Sequence, residues 1–315
     1  MKRGWKVAAR GLSSPFVFKF ISPSAKKKWA VFFFVFPGIA LFLLFWVYPI
    51  VKGFQISFYK WSINPNLPSI FIGLANYQRA LRDPVFWLAL RNTVLYMAIT
   101  VPGQIICALI VAVLLDRIKL GRVFFRTVYY LPVITSWVIV SVLFRYLFAE
   151  KGLINYLLTD LLHLMPPIPW FTKPGTALTV IMLLGIWKGI GWSMVIFLAA
   201  LQTIPNELYE AARIDGANAW HEFWRITLPL LRPTMVFVLV MLVIGGFNVF
   251  ISVQLITGGG PLNQTEVILS YMYKNAFSFL DFGYAASLSY LLATLIFVIT
   301  LLQLKFLRKP TEMYY

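Results

Sequence analysis

Six stretches of this chain run without charge for roughly 18 residues or more, the length that carries a helix across a bilayer core. They are residues 30–51, 93–115, 127–144, 174–203, 233–257 and 282–304, the fourth interrupted once by Lys188. Pro37, Pro49, Pro102 and Pro132 fall within them, and a proline kinks or ends a helix where neighbours re-satisfy the backbone. The pattern predicts an all-α integral membrane fold of about six transmembrane helices. Between the spans, residues 53–92 and 149–173 are long, rich in Pro, Asn and aromatic residues, and expected to form short interfacial helices. No internal repeat or low-complexity segment interrupts the pattern.

The segment from Gln202 to Pro233 has a different rhythm. Pro205 and Asn206 open a helix. Leu208, Ala211 and Ala212 give it one apolar face, and Glu207 and Glu210 sit in early turns that favour acids. Gly216 ends it. A second helix puts Trp220, Phe223 and Trp224 together and is expected to stop before Pro229. Glu210–Arg213 and Glu222–Arg225 have the spacing of ion pairs along a helix. Periodicity leaves two readings open, a helix pair lying on the membrane and a helix pair presented to a partner. The small Ala211–Ala212 pair and the glycine hinge favour the partner.

Composition agrees with lipid as the solvent. Of 315 residues 60% are hydrophobic and only 12% charged, with mean hydropathy +0.79, about half the charge of a soluble domain. Aromatic residues make up 17%, a composition suited to the membrane interface. The net charge of +17 reads as a topology signal and a contact to anionic lipid rather than to nucleic acid. Eighteen Lys and Arg lie on the side of the N-terminus and nine on the other, so both termini are expected to be cytoplasmic, in the cell membrane of a multi-pass protein. The basic N-terminal tail, with Lys26, Lys27 and Lys28 beside the first span, carries that difference. The division expected is a tail over 1–28, a six-helix transmembrane domain over 29–309 with its cytoplasmic loop at 203–232, and a short tail over 310–315. The apolar run 15–18 is broken by Lys19 and is too short for a signal-peptide core.

Cys107 is the single cysteine, so an intrachain disulfide and a cysteine metal cluster are excluded. His163 and His221 fall in predicted loops without metal-ligand spacing. No G-x-x-x-x-G-K-[ST] segment is present, so the chain is not expected to bind ATP itself.

Polar groups inside spans need partners and often mark a pathway. Lys188 reads in two ways: a donor to the hydroxyls of a polar solute or a cation for an anionic one, and a structural lysine bonded to backbone carbonyls. Trp187 and Trp192 offer faces on which a ring could stack, with interface packing as the alternative. Asn248 and Gln254 sit in the fifth span, and Gly245–Gly246 has the alternative role of close helix packing. A proton-coupled secondary transporter usually needs an acid or histidine in a span, and no predicted span holds one. A membrane enzyme would need Asp83, Glu150, Asp160, Glu266 or Asp281 brought into a pair, and no motif spaces them.

The series Glu210-Ala211-Ala212, Gly216, Ile226, Leu228-Pro229 resembles the EAA loop of ABC importer permeases. The resemblance implies a non-catalytic membrane subunit whose loop seats in a groove of a cytoplasmic ATPase. Glu210, Ala211, Ala212, Asp215, Gly216, Leu228 and Pro229 would form the coupling set. It also implies a second homologous permease, two ATPase subunits that bind the ATP and Mg, and an extracytoplasmic solute-binding protein. The run from Phe71 to Tyr77, then Asp83 to Trp87, Arg126 to Pro132 and Gly258 to Pro261 are similar to carbohydrate permeases. They fit best the first permease of a glycerol-phosphate or maltose-type pair, without the maltose-type insertion. Through that similarity the substrate pathway falls on Gly185, Lys188, Gly189, Trp192, Gly246, Asn248 and Ile251, beside Trp187 and Gln254.

Overall fold

The computed structural model describes residues 25–64, 66–118 and 120–307, with side chains from residue 31 onward. The tails lie largely outside that range. Two compact units divide the chain, up to Lys52 and from Gly53 onward. The first holds α1 (Ala25–Phe42), a π-helical turn at Leu43–Val47 and most of α2 (Tyr48–Ile56). None of its described side chains is buried.

The second unit begins with a two-stranded hairpin, β1 (Tyr59–Lys60) antiparallel to β2 (Ile70–Phe71), with Tyr59 opposite Phe71. Helix α3 (Ala75–Arg82) follows, and then α4 (Pro84–Arg117). Helix α4 starts well before the predicted span: Asp83 caps it through the amide of Val85 and Pro84 occupies its first turn. At 34 residues it is about 50 Å long. The last nine residues, 84–92, of what was expected to be an interfacial outer loop are therefore the start of a spanning helix.

The third predicted span is not one helix. Helix α5 (Arg122–Ile134) and α6 (Trp137–Leu147) meet at 95°. Pro132 lies two residues before α5 ends, Thr135 turns to extended backbone, and the Ser136 hydroxyl accepts from the Val138 amide to start α6. Proline and a fresh N-cap in succession break the span. Helix α7 (Pro174–Leu201) is continuous. It runs in the same direction as α4, since Tyr96 meets Gly185 and Leu115 clusters with Leu201.

Helices α8 (Asn206–Ile214) and α9 (Ala219–Leu230) form the predicted helix–turn–helix, with α9 bent by 66° from α10 (Arg232–Phe247). Helix α9 passes through Pro229 rather than stopping before it, and His221 sits in its first turn rather than in a loop. The fifth span breaks after Gly245–Gly246: α10 ends at Phe247, and α11 (Ile251–Ile256) resumes beyond Phe250. Helices α12 (Ile268–Tyr273) and α13 (Phe282–Leu307) complete the chain. Among the described residues four helices are long and apolar enough to cross a membrane, and up to six if each bent pair is one span.

Helix α11 packs on α6, so the second halves of the two broken spans lie together. Val140, Ile181 and Val253 share one buried cluster there. A second cluster joins α4 to α10 and α13 through Met97, Phe247 and Tyr284. A third joins the far ends of α4 and α7 to Leu231 and Val238.

Candidate functional site: a midspan cavity and an exposed helix pair

Both helix breaks open on one cavity of about 460 Å³. It is walled by α4, the α5–α6 break, α7 and the α10–α11 break. Glycines make the walls thin. A Cβ at Gly185 would strike the Tyr96 hydroxyl, and one at Gly189 would strike the Gln104 amide. One at Gly246 would lie 2.6 Å from Met97 Cγ. Gly191, on another face of α7, lies against the Tyr129 carbonyl of α5. Helix α7 thus approaches the α5 backbone directly at Gly191, while Gly185 and Gly189 receive the Tyr96 and Gln104 side chains of α4.

Seven of the nine predicted pathway residues line this cavity: Gly185, Lys188, Gly189, Trp192, Gly246, Asn248 and Ile251. Trp187 and Gln254 do not. The Trp187 ring instead packs on Phe144 at 5.6 Å, because one step from Lys188 turns it about 100° round the helix. Gln254 lies three residues past Ile251 within α11, outside the lining. Sequence reading missed Tyr96, Thr100 and Gln104 of α4 and Trp137 of α6, all in the lining. Thr100 and Gln104 were signalled by their polarity inside a span, and the 185/189 glycine pair marked the face that α4 approaches.

Lys188 is 4% exposed. Its ammonium donates to the carbonyls of Pro132 and Thr135, each at 2.7 Å, and to Val133 at 3.4 Å. It lies 4.9 Å from the Trp137 ring centre. The carbonyls left open where α5 ends are the ones it satisfies. Asn248 donates to the Ile244 carbonyl at 2.9 Å and keeps its Oδ1 for the cavity side. Gln104 is buried and has no hydrogen-bond partner among the described residues.

At one end of the bundle the α8–α9 pair is tied into a single body. The Ala217 amide reaches the Ala212 carbonyl at 2.8 Å and the Gly216 amide the Arg213 carbonyl at 3.0 Å. This is a Schellman closure with Gly216 at φ +83°. Asp215 is the last residue before it, and Asn218 caps α9 through the His221 amide. Arg213 reaches across to Glu222 at 2.7 Å rather than back to Glu210. Glu222 pairs there rather than with Arg225, because it faces inward with 8% of its side chain exposed. Tyr209 and Thr227 add a 3.0 Å hydroxyl bridge. Glu210 and Ala211 remain exposed, Ala212 and Leu228 are half-buried, and Pro229 is exposed.

The other end carries the acids that sequence left unpaired. Asp83 accepts from the Tyr271 and Tyr284 hydroxyls at 2.5 and 2.6 Å. Burial acts to raise its pKa, but these hydroxyls and the Val85 and Phe86 amides hold it below the usual carboxylate value. The Tyr271 hydroxyl is pushed up to about 12, first by burial and then by Asp83. Arg79 pairs with Asp281 at 2.6 Å and lies over the Tyr284 ring. Glu266 is fully buried against Lys274. Asp83, Glu266 and Asp281 each have a tyrosine, arginine or lysine partner, and none of the three pairs with another acid.

A family model for the inner membrane component of binding-protein-dependent transport systems matches residues 92–310, taking in the cavity and the helix pair. The chain belongs to this family. Among its relatives, the inner membrane ABC transporter permease YcjO of Escherichia coli is 38% identical over 82% of this chain and 87% of its own. The lactose transport permease LacF of Rhizobium radiobacter is 38% identical, covering 86% and 91%. The arabinooligosaccharides transport permease AraP of Bacillus subtilis is 36% identical, covering 89% and 88%. A solved bacterial ABC transporter involved in import of the acidic polysaccharide alginate superposes with a TM-score of 0.79 at 25% identity, covering 91% of this chain and 98% of that one.

Proposed function

We propose that this chain is a permease subunit of an ATP-driven, binding-protein-dependent carbohydrate importer. The observation that carries the reading is a mainly apolar cavity with a few polar groups, Gln104, Lys188 and Asn248 among them, at the breaks of two spans, in a chain whose relatives include lactose and arabinooligosaccharide permeases. The exposed α8–α9 body supports a coupling role. Its Schellman turn and Arg213–Glu222 pair make it a stiff lever, so force on α8 passes through α9 into α10.

In this reading a second permease closes the other half of the cavity, and two ATPase subunits hold the ATP and Mg. A solute-binding protein delivers the sugar at the end that carries Asp83. The termini and the α8–α9 body face the cytoplasm. Closure of the ATPases pulls Glu210 and its helix and tilts the spans to face outward, and hydrolysis resets them. Gly185, Gly189 and Gly246 let Tyr96, Gln104 and Met97 of α4 lie close against α7 and α10; Trp192 offers a face to a sugar ring, and Asn248 and Gln104 offer amide groups to its hydroxyls.

The test is purification of the full-length chain from its own membranes, followed by uptake in proteoliposomes. The expected result is co-purification of an ATPase and a second permease, with ATP-dependent uptake of a labelled oligosaccharide when binding protein is present. Uptake driven by a proton gradient without ATP would refute it and favour a secondary transporter. No acid or histidine is found among the described residues lining the cavity, which argues against proton coupling there.

A further inference from the structure

Lys188 is the one charged side chain among the described residues lining the cavity. Its position suggests a cation awaiting an acidic sugar, and a structural relative is involved in import of an acidic polysaccharide. The geometry points elsewhere. We infer that Lys188 is a clasp for the α5–α6 break, and that this half of the site is built for an uncharged carbohydrate. The inference rests on the carbohydrate reading above.

An ammonium has three N–H donors. Here they meet three carbonyls, of Pro132, Val133 and Thr135. The fourth side is partly closed by the Trp137 indole. The carbonyls belong to the C-terminal turn of α5, which carries roughly half a negative charge and offsets a nearby cation. A substrate carboxylate would have to displace one of these carbonyls, and of the two held at 2.7 Å the Pro132 carbonyl would keep only the Thr135 hydroxyl, at 2.6 Å. The charge is therefore already spent on the fold.

The groups left unspent are neutral. Gln104 has no partner among the described residues, and its amide meets the cavity beside Gly189. Asn248 commits its amino group to Ile244 and retains Oδ1. An amide N–H and an amide oxygen match the acceptor and donor of a sugar hydroxyl, and neither brings a positive charge to balance a carboxylate. Lys188 is then a positioning residue. By closing the end of α5 it holds Trp137 and the start of α6 at the cavity wall.

The test is uptake by the full importer with its own binding protein, using a neutral and a uronate oligosaccharide of equal length. The binding protein is unchanged between variants, so the ratio of variant to wild type for each sugar isolates the permease. Wild type should take up the uronate at no more than a tenth of the neutral rate. Lys188→Gln should lower Vmax for the neutral sugar at least tenfold, with KM within twofold. Gln104→Leu alters no backbone contact and should raise KM for the neutral sugar about tenfold, with Vmax within twofold. Uronate uptake comparable to neutral uptake in wild type, lost selectively in Lys188→Gln while neutral uptake persists, would overturn the inference. Unchanged KM in Gln104→Leu would also count against it. Uptake of neither sugar by the wild-type importer would overturn the carbohydrate reading instead.

Discussion

At one end of the bundle Asp83 is enclosed by the Tyr271 and Tyr284 hydroxyls and Glu266 lies fully buried against Lys274. At the other, Glu207, Glu210 and Asp215 all face outward. The first end also has Asn92 holding the Gln264 and Glu266 carbonyls, both at 2.9 Å, so polar groups there fasten loops to α4. The second end spends one ion pair and one hydroxyl bridge on joining α8 to α9, and leaves the rest of α8 uncovered. Buried polar groups held by specific partners stabilise one arrangement, because each loses heavily if its partner goes. Exposed charges on a stiff helix pair add little to stability, and are available to a partner surface. Substitutions at the first end should therefore cost stability, and those at the second should cost transport.

The largest effect should come from Lys274→Ala, which leaves the Glu266 carboxylate buried without its cation. A loss on the order of 3 kcal/mol is expected, visible as a lower thermal midpoint of the purified importer. Next is Asp83→Ala, which leaves two tyrosine hydroxyls without an acceptor. About 2 kcal/mol is expected, again by thermal unfolding. A loss at Asp83 no larger than at a surface carboxylate such as Asp160 would erase the contrast between the ends.

The pH dependence of the first end is smaller and has a definite sign. Asp83 titrates below the usual carboxylate value in the fold, so its contribution is complete above that usual value of about 4. It is lost as pH falls through the depressed one. Thermal stability should hold from neutral pH to about 5 and then decline below about 4, with a shallower decline in Asp83→Asn. The smallest effect is expected for Arg213→Ala. Its guanidinium is exposed, but its loss leaves the buried Glu222 carboxylate without its cation, so the thermal midpoint should fall, by less than in Asp83→Ala. Uptake should fall severalfold, because α8 is no longer tied to Glu222.

The long apolar runs made six spans legible, and the glycine and proline pattern of 205–216 gave the helix pair before any coordinates. Three features were hidden for physical reasons. The 95° bend between α5 and α6 depends on Lys188 of another span closing the end of α5, a long-range contact that no local pattern records. Pro132 and Ser136 were its local traces. The Arg213–Glu222 pair replaces two expected helix-surface pairs because the Gly216 turn folds α9 back on α8. Asp83, Tyr271 and Tyr284 come together across 188 residues or more, and sequence spacing carries no information at that distance. In the cavity, the glycines of α7 and α10 were legible. The α4 wall was not, since Gln104 sits in a run read only for its hydrophobicity.

The central claim is that α8 transmits ATP-driven work while contributing little to the fold. It is tested most directly by Glu210→Ala in the assembled importer, measuring thermal midpoint and ATP-dependent oligosaccharide uptake on the same preparation. The account expects an unchanged midpoint and uptake reduced at least tenfold. Wild-type uptake in that variant, with the ATPase still bound, would contradict it.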